Sequence, residues 1–114
     1  MKISFTPNAL TQLELVIGTL SNDTGFLIGQ DMGKIKIIEN LFPINFDENS
    51  IDMMYSKIYS KVSHRLMGVF FNNIEPFNSD WFIQDIVINI KYPQPRFYIY
   101  DINEEYIPLS DVII

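Results

Sequence analysis

The chain has 114 residues, of which 47% are hydrophobic and 14% aromatic. This length suits one compact domain, and the apolar content excludes a disordered chain, so we expect residues 1–114 to form a single domain. The formal net charge is −6 and the basic residues are scattered, which argues against binding to nucleic acid or to anionic lipid.

The first predicted elements are a helix and a hairpin. The helix begins at Thr6-Pro7, because Thr is a good N-cap and Pro fits the first helical position. Apolar residues continue it at helical spacing: Leu10, Leu13, Val16, Ile17 and Leu20. Residues 25–29 then form a short apolar strand. A turn at residues 31–33 leads into an alternating strand from Lys34 to about Pro43.

A second helix is predicted after an acidic loop at residues 45–50. Asn49 or Ser50 can cap it, and His64 and Arg65 fall in its last turn. Its apolar face is formed by Ile51, Met54, Tyr55, Ile58 and Val62. Residues 66–71 follow as a strongly apolar strand.

The stretch from Ser79 to Lys91 fits two structures. Ser79-Asp80 is typical of a helix start, and Phe82, Ile86 and Ile90 have helical spacing, but Ile86, Ile88 and Ile90 also alternate as in a strand. The length and the cap favour a helix.

Two further strands are predicted at residues 96–101 and 106–114. Pro108 indicates that the last strand lies at a sheet edge or contains a break. The predicted order is therefore α-β-β-α-β-α-β-β. This order indicates an α+β domain in which helices flank a mixed β-sheet.

Five segments of the chain resemble the JAB/MPN family, the domain of deubiquitinating metalloproteases and their bacterial relatives. They are residues 24–29, 34–43, 66–73, 76–81 and 93–100. Residues 24–29 resemble a family strand reading Glu-x-Cys-Gly-Leu-Leu-Leu-Gly. Residues 66–73 resemble the strand that reads Gly-x-Tyr-His-Ser-His in active members, and residues 76–81 resemble the Pro-Ser-x-x-Asp helix start. The resemblance implies a JAB/MPN-like, cytidine-deaminase-like fold.

Active members of that family hold zinc with two His and one Asp and use a Glu as base. At these positions the chain has Phe71 and Asn73 for the histidines, Phe82 for the aspartate and Asn22 for the glutamate. The resemblance therefore implies a pseudoenzyme without metal or cofactor. Its vestigial site or binding groove would comprise Asn22, Phe71, Asn72, Asn73, Ser79, Asp80, Trp81 and Phe82.

Other catalytic and metal-binding patterns are missing from the sequence. The chain has no cysteine and a single histidine, His64, which excludes a zinc site built from those two residue types. The acidic segment at residues 47–52 lacks the spacing and glycine of a calcium loop. Ser79 is not in a Gly-x-Ser-x-Gly elbow and is better explained as a helix cap.

We expect an inactive domain that acts in protein binding or scaffolding, with a protein or peptide partner or a second copy of the chain. Two alternatives stay open. One is a peptidase-like or isopeptidase-like hydrolase whose chemistry has moved to Asp80, Asp85 or Asp23. The other is an unrelated small ligand-binding or regulatory α+β module. We also expect a cytoplasmic location without membrane contact, because the N-terminus lacks a signal-peptide core and no apolar run reaches the roughly 18–20 residues of a membrane helix.

Overall fold

A computed structural model describes residues 2–19, 24–90, 95–101, 103, 105–109 and 112–113. These residues form one eight-stranded sheet and two α-helices. The strands are β1 (Lys2–Phe5), β2 (Thr24–Asp31), β3 (Ile35–Pro43), β4 (Leu66–Phe71), β5 (Ile86–Asn89), β6 (Arg96–Tyr100), β7 (Tyr106–Pro108) and β8 (Val112–Ile113). The helices are α1 (Pro7–Ile17) and α2 (Ile51–Val62), and short 3-10 turns cover Ser63–Arg65 and Asp80–Phe82. None of the described helices is long and apolar enough to cross a membrane.

The sheet has the strand order β7-β6-β5-β4-β2-β3-β1-β8. The pairs β1–β3, β1–β8 and β4–β5 are parallel, and the other pairs are antiparallel. Strand β2 lies between β3 and β4, and its register shifts at Ile28/Gly29 against β3 and at Leu27/Ile28 against β4.

Each helix packs on a different face of the sheet. Neighbouring residues of a strand point to opposite faces. Leu27 of β2 joins the cluster that contains Ala9 and Leu13 of α1. Its neighbour Phe26 joins the cluster that contains Tyr55 of α2. Both faces of the central strands are thus buried, which explains the long apolar runs in the sequence.

The predicted α+β fold, with the order α-β-β-α-β-α-β-β, is wrong. The chain is mostly β, and its described elements follow the order β-α-β-β-α-β-β-β-β-β with only two short helices. Three errors produce the difference. The third predicted helix is absent from the described residues, a strand precedes the first helix, and the last predicted strand is divided into β7 and β8.

The third predicted helix is a single 3-10 turn followed by a strand. Ser79 does cap the turn, because its Oγ accepts a hydrogen bond from the Trp81 backbone N–H at 3.2 Å. The helical path ends after Phe82, and Gln84 has a positive φ of 70°. Residues Ile86–Asn89 are then buried as β5, parallel to β4. The spacing of Phe82, Ile86 and Ile90 is therefore a coincidence within a run that is buried on both faces.

Strand β1 was not predicted because only four residues form it. Ile3 and Phe5 are buried while Lys2 is exposed, so the strand follows the expected alternation. It pairs in parallel with β3. The predicted strand at 106–114 is also divided. β7 ends at Pro108 at one edge of the sheet, as that proline indicated, and β8 lies beside β1 at the other edge.

Several predicted elements are confirmed. Helix α1 begins at Pro7, and the Thr6 Oγ accepts a hydrogen bond from the Ala9 backbone N–H at 3.2 Å. The hairpin of β2 and β3, the helix α2 and the strand β4 lie where the sequence placed them. His64 and Arg65, predicted in the last turn of this helix, instead lie in the 3-10 turn that follows α2.

Candidate functional site

The structure places the predicted site residues in three separate surroundings. Phe71 and Phe82 are fully buried, and Asn72 and Asn73 lie against the end of α1. Ser79, Asp80 and Trp81 line a recess near the start of α2. Asn22, together with Asp23 of the hydrolase alternative, lies outside the described residues. The structure therefore does not bring the predicted residues into one site.

Phe71 and Phe82 belong to the core beneath α2. Their ring centroids are 6.1 Å apart, and Phe71 also packs edge-on against Phe46 and Phe77. Both side chains are 0% exposed. Their role is packing, and neither is accessible to a ligand.

Asn72 and Asn73 close the C-terminal end of α1. The buried Asn72 amide donates hydrogen bonds to the Val16 carbonyl at 3.2 Å and to the Thr19 Oγ at 3.1 Å. The Asn73 amide donates to the Thr19 carbonyl at 3.3 Å. The Val16 carbonyl also accepts from the Thr19 backbone N–H and the Thr19 Oγ, both at 3.2 Å, so the two asparagines join an existing hydrogen-bonded cap at the end of α1.

Replacing Asn72 by alanine should lower the free energy of unfolding by about 2 kcal/mol, because buried polar groups lose their partners. Urea denaturation measures this change. Asn73→Gly is the matched control, since it removes an amide from a less buried site but tolerates the φ of 60° found there. We expect the control to stay within about 0.5 kcal/mol of the original protein. Equal effects of the two substitutions would contradict a specific role for Asn72.

The recess near the start of α2 has a volume of about 450 Å³. We call it the acidic recess, and it is lined by Glu48, Ile51, Asp52, Asn78, Ser79, Asp80, Trp81 and Tyr100. Three of these side chains are carboxylates, and no lysine or arginine is among the described residues that line it. The acidic recess therefore has a negative electrostatic potential.

A tight turn before α2 positions Glu48 and Asp52. The Asp47 Oδ1 accepts hydrogen bonds from the backbone N–H groups of Asn49 and Ser50, both at 2.9 Å. The Ser50 Oγ accepts in return from the Asp47 backbone N–H at 2.9 Å. A hydrogen bond from the Ser50 side chain to the Asp47 carboxylate, followed by the two backbone N–H bonds, holds the pKa of Asp47 below its usual value. The turn thus fixes where α2 begins and directs its first residues to the acidic recess.

Trp81 makes two side-chain contacts although it is 42% exposed. Its Nε1–H donates a 2.8 Å hydrogen bond to the Asp52 Oδ1. Its ring lies 5.1 Å from the ring of Tyr55 at an interplanar angle of 31°. Ser79 fixes the backbone by capping the turn. An aromatic face is therefore presented to solvent in one orientation.

Behind Trp81 lies a pair formed by the buried Tyr55 and the half-buried Asp85. The Tyr55 hydroxyl donates a 2.8 Å hydrogen bond to the Asp85 Oδ2. Burial raises the pKa of Asp85 to about 7, although the bond from Tyr55 and the charge of Lys36 oppose this rise. Burial and the neighbouring Asp85 raise the pKa of the Tyr55 hydroxyl. Asp85 does not line the acidic recess, so it supports α2 rather than contacting a bound molecule.

The chemistry of the acidic recess suits an organic cation. An exposed aromatic face attracts an ammonium or guanidinium group, and carboxylates beside it add charge-assisted hydrogen bonds. Among the described residues, no group of three or more His, Cys, Asp or Glu side chains is placed to hold a metal ion.

Sequence reasoning missed Glu48, Asp52 and Tyr100 as members of this site. The acidic segment at residues 45–50 was interpreted as a solvated loop, which fits its exposure. The pairing of Asp52 with Trp81 joins positions 29 residues apart, and no local pattern reports such a contact.

Comparison with known proteins gives a match of fold. No protein-family model and no curated protein matches the chain. The chain is similar to the solution structure of protein DSY2949 from Desulfitobacterium hafniense, with a TM-score of 0.59 and 15% sequence identity. The similarity covers 97% of this chain and 91% of that chain. At this identity it shows the fold alone.

Proposed function

We propose that the protein is a non-catalytic binding domain whose acidic recess takes up an arginine or lysine side chain of a partner protein. The observation that carries this proposal is the solvent-facing ring of Trp81, hydrogen-bonded to Asp52 and lying among the carboxylates of Glu48, Asp52 and Asp80. Exposed aromatic anchors in recesses are typical of the residues that dominate protein interfaces.

Rigidity favours binding at this position. A side chain that is already fixed loses little conformational entropy when a partner arrives. The contacts of Trp81 with Asp52 and Tyr55 favour one orientation of its ring, which would reduce the entropy lost when a cation binds. The net charge of −6 would also attract a basic partner over several ångströms and raise its association rate.

A non-catalytic role agrees with the surroundings of the positions compared with the zinc ligands. Phe71 and Phe82 are core residues, and the Asn73 amide donates a hydrogen bond to the Thr19 carbonyl beyond the end of α1. The relationship to the JAB/MPN family stays a prediction, because none of the comparisons bears on it. The same holds for a scaffolding role, self-association and a cytoplasmic location.

Trp81 is the single tryptophan of the chain, so its fluorescence reports directly on the acidic recess. We expect an arginine-rich peptide to change the Trp81 emission saturably, and a glutamate-rich peptide of equal length to leave it unchanged. Asp80→Asn should weaken the binding of the arginine-rich peptide about 3-fold, as is typical of exposed charge pairs. Trp81→Ala should weaken it about 10-fold or more by calorimetry.

The matched control is Glu14→Gln, which removes an exposed carboxylate from α1, away from the acidic recess. It changes the net charge as much as Asp80→Asn does, but it should leave the affinity within a factor of about 1.5, because screening weakens charge interactions at a distance. If the two variants bind the arginine-rich peptide equally weakly, the attraction comes from net charge and the proposed site is wrong.

A further inference from the structure

We propose that a second site, an apolar cleft beside α2, binds an acidic amphipathic helix of a partner protein. The apolar cleft has a volume of about 390 Å³ and is lined by Ile28, Phe42, Ile44, Met54, Lys57, Ile58, Lys61 and Val62. It shares no lining residue with the acidic recess, so this inference goes beyond the proposed function.

The apolar cleft exists because α2 covers only part of its face of the sheet. Phe26 and Phe42 are paired across β2 and β3, so both side chains point to the same face. Phe26 is fully buried in the cluster that contains Tyr55 and Ile58 of α2. Phe42 lies beyond the helix and stays 50% exposed. One apolar wall is therefore supplied by the sheet and the other by α2.

Two lysines give the apolar cleft a positive rim. Lys57 and Lys61 are four residues apart on α2, hence one turn apart on the same side of the helix. Within the described part of the chain, neither lysine makes an ion pair. Because the protein as a whole carries a net charge of −6, this local positive rim selects an occupant with carboxylates.

The backbone around the apolar cleft favours a helix as the occupant. Strands β2 and β3 pair with each other along this stretch, and the Ile44 N–H donates to the Thr24 carbonyl at 3.0 Å. On the side of β3 that β1 leaves uncovered beyond Ile38, the Leu41 N–H donates to the Gln12 Oε1 at 2.7 Å and Pro43 has no N–H, so little of that edge can pair with an extended peptide. A helix satisfies its own backbone groups and needs only apolar side chains to fill a groove.

The length of the apolar cleft also fits a helix. The lining residues of α2 run from Met54 to Val62, which corresponds to about 12 Å along the helix axis. Two turns of a partner helix span this distance and place two or three apolar anchors in the apolar cleft. The flexible thioether of Met54 can adapt to their shapes.

The test uses two designed helical peptides of roughly 18 residues, long enough to form a helix on binding. They share one leucine face and carry either glutamate or glutamine at the flanking positions. With the full chain, calorimetry should show that the glutamate peptide binds about 10-fold more tightly than the glutamine peptide. In nitrogen-15 spectra, the amides of Phe42, Ile44 and residues 54–62 should shift, whereas the Trp81 indole signal should not.

Charge reversal supplies the decisive comparison. The double variant Lys57→Glu, Lys61→Glu should reverse the order, so that the glutamine peptide binds more tightly. Lys2→Glu, Lys34→Glu is the matched control, because both lysines are exposed and lie outside the apolar cleft, and it should keep the original preference. Phe42→Ser is a second variant, which should weaken both peptides at least 5-fold while circular dichroism confirms folding.

Three results would overturn the inference. The first is equal affinity of the two peptides, and the second is an unchanged preference in the Lys57, Lys61 variant. The third uses dodecanoate, a fatty-acid anion, as a probe: signals of the apolar cleft would shift with dodecanoate but with neither peptide. Failure here is separable from failure of the proposed function, since the arginine-rich peptide would still alter Trp81 fluorescence in the Lys57, Lys61 variant.

Discussion

Replacing Gly68 by alanine is expected to lower the free energy of unfolding by about 3 kcal/mol. Gly68 lies in β4, between Leu27 of β2 and Ile86 of β5. A Cβ atom added there would overlap the backbone carbonyl of Ile86. That backbone belongs to the centre of the sheet and cannot move without disturbing the pairing of β4 with β5. Urea denaturation followed by circular dichroism measures the loss.

Gly18→Ala is the matched control for this substitution. Gly18 has φ −74° and ψ −7° at the end of α1, and an added Cβ would meet no atom closer than 3.4 Å. Alanine there should be neutral or stabilise the protein by up to about 1 kcal/mol, because it restricts the unfolded chain. If Gly68→Ala proves as mild as Gly18→Ala, the contact between β4 and β5 is looser than the structure indicates.

The second large effect is expected from Asp85 and depends on pH. Burial raises the pKa of Asp85 from its model value of 3.8 to about 7, so the folded protein holds this proton where the unfolded chain has lost it. The resulting stabilisation is complete below pH 4 and is lost as the pH rises through 7. Between pH 5 and pH 8 this single group should lower the free energy of unfolding by about 3 kcal/mol.

Asp85→Asn removes the titration and should abolish that part of the pH dependence. Urea denaturation at pH 5, 6, 7 and 8 should show that the variant is the more stable protein at pH 8. The free energy of unfolding of the variant minus that of the original protein should be about 3 kcal/mol smaller at pH 5 than at pH 8. Tyr55→Phe provides the comparison. It removes a hydrogen bond that lowers the pKa of Asp85, so the loss of stability with rising pH should persist but occur at higher pH. Parallel pH profiles for Asp85→Asn and the original protein would contradict this account.

The sequence predicted those elements whose signals are local. Thr6 and Pro7 mark the start of α1 by capping and ring geometry, and the turn at residues 31–33 separates β2 from β3. The apolar face of α2 follows from spacing alone. In each case, neighbours within a few positions decide the structure.

The errors come from contacts between distant parts of the chain. Strand β1 is stabilised by β3, whose residues lie more than thirty positions away. Ile86 to Asn89 form a strand because β4 and β6 bury them, and spacing could not distinguish that outcome from a helix. The acidic recess depends on the same kind of long-range contact, since Asp52 and Trp81 meet only in the folded chain.

Both edges of the sheet, as far as the structure describes them, end in very short strands. β7 has three residues and terminates at Pro108, which cannot donate a backbone hydrogen bond, and β8 has two residues. Long, flat edges invite other chains to add strands and so promote fibrillar aggregation. The described edge strands offer few free backbone groups for such growth. If the proposed partners bind as inferred, they would do so through the side chains of the acidic recess and the apolar cleft, which can discriminate between partners in a way that backbone pairing cannot.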